Sequence, residues 1–254
     1  MLHFLCGEML GTERYTHIID PQFKVADDRL PELQQALRRL SEGEPLQYVL
    51  GYEEFCGHRF NVSPDVLIPR PETQMLVEEA VKIAPPEARI LDLCTGSGCI
   101  AWSLAMALPS ASVTATDISD AALSVASAQP FDIPNRPVFL KADVLAPPPS
   151  IGPFDIVLSN PPYIMEREKG AMRGNVLDYE PHLALFVPDD DPLRFYRGVA
   201  EWASVLLVPG GKGIVEINEA LGEETKGLFE KSGFSKTSLL PDFFNKNRFV
   251  IFEK

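Results

Sequence analysis

Long apolar runs, histidines and paired cysteines are scarce in this chain, and each scarcity removes a class of function. No apolar stretch approaches the ~20 residues that span a bilayer. Residues 1–10 lack a basic start and are broken by His3 and Glu8, so neither a membrane segment nor a secretory leader is expected. The four cysteines, Cys6, Cys56, Cys94 and Cys99, show no CxxC or Cys/His spacing and read as free thiols of a cytoplasmic protein. His3, His17, His58 and His182 form no metal-ligand or triad spacing either. Positive charge is short as well: 23 Lys and Arg stand against 36 Asp and Glu, a net charge of −13. Duplex nucleic acid draws much of its affinity from phosphate neutralisation, so it is not an expected partner.

What is present is a soluble globular pattern long enough, at 254 residues, for one large α/β domain and a small appendage. Residues 1–50 read as helical. Leu33, Ala36, Leu37 and Leu40 recur at helical spacing, Pro31 stands in the first turn, and Asp27 or Asp28 is the expected cap. That helix must pack on Phe4, Leu5, Leu10 and Ile18 or on the following domain. Residues 51–69 turn aromatic and β-branched around Gly57-His58, a hairpin signal. From residue 70 onward a helix over 72–83 leads into alternating strands and helices. Strands are predicted over 89–93, 113–116, 138–140, 154–159, 213–217 and 248–252, with helices over 99–108, 120–128 and 221–231 and Trp202 on another. This alternation implies an α/β fold with a doubly wound, mostly parallel sheet. Between residues 164 and 191 it lapses into a long polar segment, whose position beside Tyr163 suits a substrate-covering role.

Chemistry concentrates at strand ends, where open α/β sheets bind ligands. The run 154–159 leads straight into Asn160-Pro161-Pro162-Tyr163. Two prolines fix φ and remove two N–H donors, leaving carbonyls to accept, with an amide on one side and an aromatic ring on the other. Such a site suits a flat group bearing an NH2. Arg70, between Pro69 and Pro71, sits on extended backbone that either aims its guanidinium or simply stiffens a linker.

Gly96-Ser97-Gly98-Cys99-Ile100-Ala101 matches the dinucleotide fingerprint, and Asp117 lies about 20 residues on, where a ribose-binding acid belongs. A nicotinamide dehydrogenase is therefore one reading. Asp92, however, puts a carboxylate just before the glycine turn, where it suits a cation and not a pyrophosphate. Asp143 adds a third acid at the next strand end. Ammonium, ribose hydroxyls and an adenine amine together describe S-adenosylmethionine.

On these motifs, with Gly43-Glu44-Pro45-Leu46-Gln47-Tyr48, Ile68-Pro69-Arg70-Pro71-Glu72-Thr73 and Tyr179-Glu180-Pro181, the chain resembles the class I methyltransferases. More narrowly, it resembles the bacterial peptide chain release factor N5-glutamine methyltransferases. The resemblance implies a seven-stranded sheet, an N-terminal helical recognition domain (1–50), a hairpin linker (51–69) and a methyltransferase domain (70–254). It implies S-adenosylmethionine as cofactor, with S-adenosylhomocysteine as product, held by Asp92, Cys94, Thr95, Gly96, Gly98, Asp117, Ile118, Asp143, Val144 and Asn160. It also implies that a release-factor glutamine enters at Asn160, Pro161, Pro162 and Tyr163 near Arg70, with Asn160, Pro161 and Tyr163 in the catalytic part. The alternatives are a ribosomal-protein glutamine and, because Asn-Pro-Pro-Tyr is shared with adenine-N6 enzymes, a nucleic-acid adenine. The helical front is shorter than usual in that family. The family also carries glycine where this chain has Cys94, a replacement that calls for a negative φ there.

Overall fold

The structure is a computed structural model that describes residues 2–13 and 15–254, together with all but the side chain of His17. Met1, Arg14 and the reading of the His17 side chain lie outside the described residues. The helical front comprises α1 (Leu2–Leu10), α2 (Thr16–Ile19), α3 (Leu30–Ser41) and α4 (Leu46–Leu50). Leu33 and Ala36 of α3 bury with Leu5 of α1, flanked by Met9, Leu10, Val25 and Leu40. Phe4 and Ile18 do not join this core; they are 49% and 64% exposed. The expected aspartate cap is also absent. Arg29 occupies the N-cap of α3 without a side-chain bond, and Pro31 stands in the first turn as predicted. The Gly43–Tyr48 motif is a tether. Arg39 holds Glu44 and the Tyr48 carbonyl, while the Tyr48 hydroxyl donates 2.6 Å to the Val66 carbonyl.

β1 (Tyr52–Phe55) and β2 (His58–Asn61) form the hairpin. Its turn is Cys56-Gly57, one residue earlier than expected, because both residues take positive φ (49° and 77°), as a two-residue turn matched to strand twist requires.

After α5 (Thr73–Ile83) come β3 (Arg89–Leu93), α6 (Cys99–Ala107), β4 (Ser112–Asp117), α7 (Asp120–Ser127), β5 (Val138–Lys141) and β6 (Phe154–Ser159). The chain continues through β7 (Ile164–Met165), α8 (Gly174–Tyr179), β8 (Phe186–Val187), α9 (Arg194–Leu206), β9 (Leu207–Glu216), α10 (Gly222–Lys231), β10 (Ser235–Pro241) and β11 (Asn247–Glu253). Seven strands order as β10-β11-β9-β6-β3-β4-β5. β5, β4, β3, β6 and β9 run parallel, and β11 is antiparallel to both β9 and β10. Successive strand residues divide between the two faces. Ile90, Ile156, Leu158 and Ile214 bury against α5 and α6 with Trp102 and the hairpin's Phe60. Leu91, Leu93, Val157 and Val215 bury on the other side with Trp202 and Phe229. Both faces are covered, which is why these strands read as continuous apolar runs. Each such side chain contributes about 1.5–3 kcal/mol by leaving water.

The sequence pattern misses β10, because Ser235, Lys236, Thr237 and Ser238 on an edge strand carry no apolar alternation. It also misses the order within residues 164–191, where β7 pairs with β8 and short helical segments lie between them. Elements this short set up no measurable period. The N-cap of α9 is Leu193, without a side-chain bond, and Asp191 just before it accepts from Arg197 at 2.6 Å.

Candidate active site

Register brings the predicted residues together. Leu93 pairs with Ser159 across β3 and β6, and the Ser159 hydroxyl donates 2.9 Å to the Leu93 carbonyl. Cys94 and Asn160 are therefore the next residues out on neighbouring strands. Leu93 also pairs with Thr116, and the Thr95 N–H returns to the Thr116 carbonyl at 3.0 Å, placing Asp117 beside the glycine turn. Asp117 pairs with Lys141 of β5, and the Ala142 N–H reaches the Asp117 carbonyl at 3.0 Å, just before Asp143. The site lies between β3 and β6, the point where the strand order reverses.

The glycine turn is held from beneath by acids. Asp117 accepts from the Gly96 N–H at 2.9 Å through one oxygen and from the Ser119 N–H at 2.9 Å through the other. Burial raises its carboxyl above the ordinary range against those two bonds. Asp92 is fully buried; its Oδ2 accepts from the Thr95 hydroxyl at 2.6 Å, and Oδ1 has no hydrogen-bond partner among the described residues. Burial pushes the Asp92 carboxyl up to about 7. Gly98 has φ +79°, and a Cβ on it would stand 3.0 Å from Ala126 Cβ and 3.2 Å from the Trp102 ring. Gly96 has φ +54° with open space where its side chain would project. Cys94 also takes a positive φ, +61°. This overturns the condition under which a side chain there is free of strain.

Asn160 donates through Nδ2 to the Thr73 hydroxyl at 3.2 Å, and Thr73 donates to Glu216 Oε2 at 2.7 Å. The Tyr163 hydroxyl donates to Glu216 Oε1 at 3.1 Å. Glu216, at the end of β9, is 1% exposed, and burial raises its carboxyl against the Thr73 and Tyr163 bonds and the charge of Arg248. Burial likewise pushes the Tyr163 phenol well up.

Two cavities meet at Asn160. One, of about 660 Å³, is lined by Cys94, Thr95, Gly96, Asp117, Ile118, Asp143, Val144, Asn160 and Pro162 among others. The other, of about 300 Å³, is lined by Arg70, Asn160, Pro161, Tyr163, Arg173 and Leu185 among others. Asp92 and Gly98 line neither; they form the layer behind the wall. Arg70 faces the smaller cavity, but its charge is already engaged. Its Nη2 donates 2.6 Å to Glu180, whose side chain is 1% exposed and whose other oxygen accepts from the Ile68 N–H at 3.2 Å. The Tyr179-Glu180-Pro181 motif thus fastens residues 164–191 to the segment carrying Arg70.

Three contributors escape sequence reasoning. Thr73 and Glu216 are one. Gln129 is another: its amide bonds both backbone groups of Asn61 and the Ser97 carbonyl at 2.9–3.0 Å, pinning the hairpin to the glycine turn. Gly198 of α9 is the third, pressed against the Val144 carbonyl. None sits in a local pattern that announces a partner more than 50 residues away. Among the described residues no helix is long and apolar enough to cross a membrane.

Residues 71–177 match the Methyltransferase small domain family and residues 2–51 the PrmC N-terminal domain. A methyltransferase from Pyrococcus furiosus, 18% identical, shares the fold with a TM-score of 0.54 over 90% of this chain and 99% of its own. The release factor glutamine methyltransferase of Bacteroides thetaiotaomicron is 44% identical over 97% of this chain and 89% of its own length. That of Flavobacterium psychrophilum is 43% identical over 94% of this chain and 85% of its own. Identity at that level across both the helical front and the sheet places the chain in the release factor glutamine methyltransferase family.

Proposed function

We propose that the protein transfers a methyl group from S-adenosylmethionine to the side-chain amide nitrogen of a glutamine in a peptide chain release factor. The observation that carries this reading is Asn160, which lies on the wall common to both cavities with its NH2 engaged by Thr73 and its carbonyl oxygen without a hydrogen bond among the described residues. A planar carboxamide entering from the smaller cavity meets an acceptor for its N–H there, and the Pro161 carbonyl offers another. Tyr163 supplies a face for the flat group to pack on.

The larger cavity fits the cofactor. Asp92 lies behind the glycine turn without lining the cavity, and its buried Oδ1, with no hydrogen-bond partner among the described residues, sets an acidic group beneath the turn that would face the ammonium. Asp117 keeps lone pairs free for ribose hydroxyls, Gly96 leaves room for close approach, and Asp143 with Val144 suits the adenine. When bound, S-adenosylmethionine supplies an electrophilic methyl on a positively charged sulfur. An amide nitrogen is a poor nucleophile, because its lone pair is conjugated into the carbonyl. Accepting its N–H bonds at Asn160 and Pro161 fixes its plane and favours the charge that builds on nitrogen during attack; the nitrogen gains the methyl as the bond from methyl to sulfur breaks, and one N–H proton passes to water. Residues 1–50 and the segment 164–191 fit the roles of recognition domain and cover.

The test is methylation with isotopically labelled S-adenosylmethionine, offering a release factor, a ribosomal protein and DNA separately and mapping the label by mass spectrometry. Label on a release-factor glutamine supports the reading; label on adenine alone, or on none of them, sinks it.

A further inference from the structure

Thr73 opens α5 with 2% of its surface exposed, and it touches two residues far away in sequence. Its hydroxyl has a single proton, and the 2.7 Å contact to Glu216 takes it, because the Glu216 carboxylate, met by donors at both oxygens and facing the Arg248 charge, accepts. The Thr73 oxygen is then available to Asn160 as an acceptor and nothing else. The Tyr163 hydroxyl donates to the other oxygen of Glu216, so both oxygens are met by donors and the chain of bonds has one direction. It runs from the Asn160 NH2 through Thr73 to Glu216.

An asparagine side chain and its flipped form fill the same volume, so packing does not choose between them; the hydrogen-bond network does. Flipped, Asn160 would set its own NH2 against the NH2 of an incoming carboxamide. Glu216 lines neither cavity, so it does not reach the reacting nitrogen and its effect passes through Thr73.

We propose that Thr73 and Glu216 are positioning residues for the methyl transfer: together they lock the Asn160 amide with its carbonyl oxygen toward the substrate nitrogen. This inference rests on the functional reading above and adds to it the origin of amide selectivity at Asn160. The buried chain works because the carboxylate at its end cannot donate back. Glu216→Gln introduces a donor, lets the Thr73 proton point either way, and so populates both Asn160 orientations.

The test compares wild type, Thr73→Val, Thr73→Ser and Glu216→Gln by three measurements. These are single-turnover transfer to a release-factor glutamine, S-adenosylmethionine affinity by calorimetry, and hydrogen exchange of the Asn160 side-chain NH2 by NMR, its signal assigned by its loss in Asn160→Ala. Thr73→Val keeps the shape and removes the hydroxyl. Transfer should fall roughly tenfold to hundredfold, as for a misplaced reacting group, with cofactor affinity within about threefold and faster exchange of the Asn160 NH2. Thr73→Ser should recover transfer and protection to within about threefold, and Glu216→Gln should fall between. Thr73→Val at the wild-type rate, Thr73→Ser as impaired as Thr73→Val, or loss of cofactor affinity in step with transfer would each overturn the inference. A wild-type protein that methylates no glutamine overturns the functional reading instead.

Discussion

A Cβ on Gly198 of α9 would stand 2.4 Å from the Val144 carbonyl oxygen, closer than any side chain tolerates. The helix and the loop that follows β5 are therefore in backbone contact, and that loop carries Asp143 and Val144 on the wall of the larger cavity. Gly198→Ala must push the two apart. Overpacking of this kind costs about 1–3 kcal/mol, measurable by urea denaturation. The same displacement should weaken S-adenosylmethionine by about tenfold, or about 1.4 kcal/mol, in calorimetry. Unchanged affinity would show that the loop does not bear on the cofactor.

Asp92 gives a pH dependence with a defined sign. Its carboxyl ionises near 3.8 in the unfolded chain and is pushed up to about 7 by burial in the folded one. Between those values the unfolded state binds fewer protons, so the favourable contribution present below 3.8 is lost as pH rises to about 7. Asp92→Asn escapes this. Without cofactor, the variant should gain on wild type from pH 4 to 7 and then hold a plateau of roughly 2–4 kcal/mol. Added S-adenosylmethionine should stabilise wild type and do less for the variant. A stability difference that does not change with pH would refute the burial-raised ionisation of Asp92.

Cys94 sits at φ +61°, where a non-glycine residue carries strain of about 1–2 kcal/mol. Cys94→Gly relieves it and gives back part of the gain as unfolded-state entropy. A net stabilisation of about 0.5–1 kcal/mol should appear as a higher denaturation midpoint. Cys94→Val, β-branched at the same φ, should lower that midpoint below wild type.

Arg70 and Glu180 hold residues 164–191 against the segment before α5. Removing the arginine leaves a carboxylate, 1% exposed, without its cation. A fully buried pair broken this way costs about 3–5 kcal/mol. Arg70 itself is 31% exposed, so water screens the pair and about 1–3 kcal/mol is expected for Arg70→Ala. Adding Glu180→Gln to Arg70→Ala should recover part of that loss in a double-mutant cycle. Simple additivity would mean the contact contributes nothing.

The strand ends were legible because period and punctuation coincide there. A buried apolar run followed by Asn160-Pro161-Pro162-Tyr163, or by Gly96-Ser97-Gly98, can do little else than leave the sheet and turn. β10 stayed hidden because it is an edge strand mostly exposed over residues 235–238, so no buried face imposes an apolar alternation there. Arg70 was visible as a held guanidinium, yet its partner Glu180 lies 110 residues on, and no local spacing encodes such a pairing.

By itself, the amino-acid sequence determined the parallel layering, the hairpin, the glycine turn and which carboxylates and amides stand just beyond the strands, since each depends on the backbone preferences of neighbouring residues. The tertiary structure alone decided how those groups are aimed. The backing of Asn160 by Thr73 and Glu216, the contact of Gly198 with Val144 and the left-handed Cys94 all arise from strand register and helix approach. Those are set by close packing across the whole sheet, where side chains distant in sequence compete for the same space.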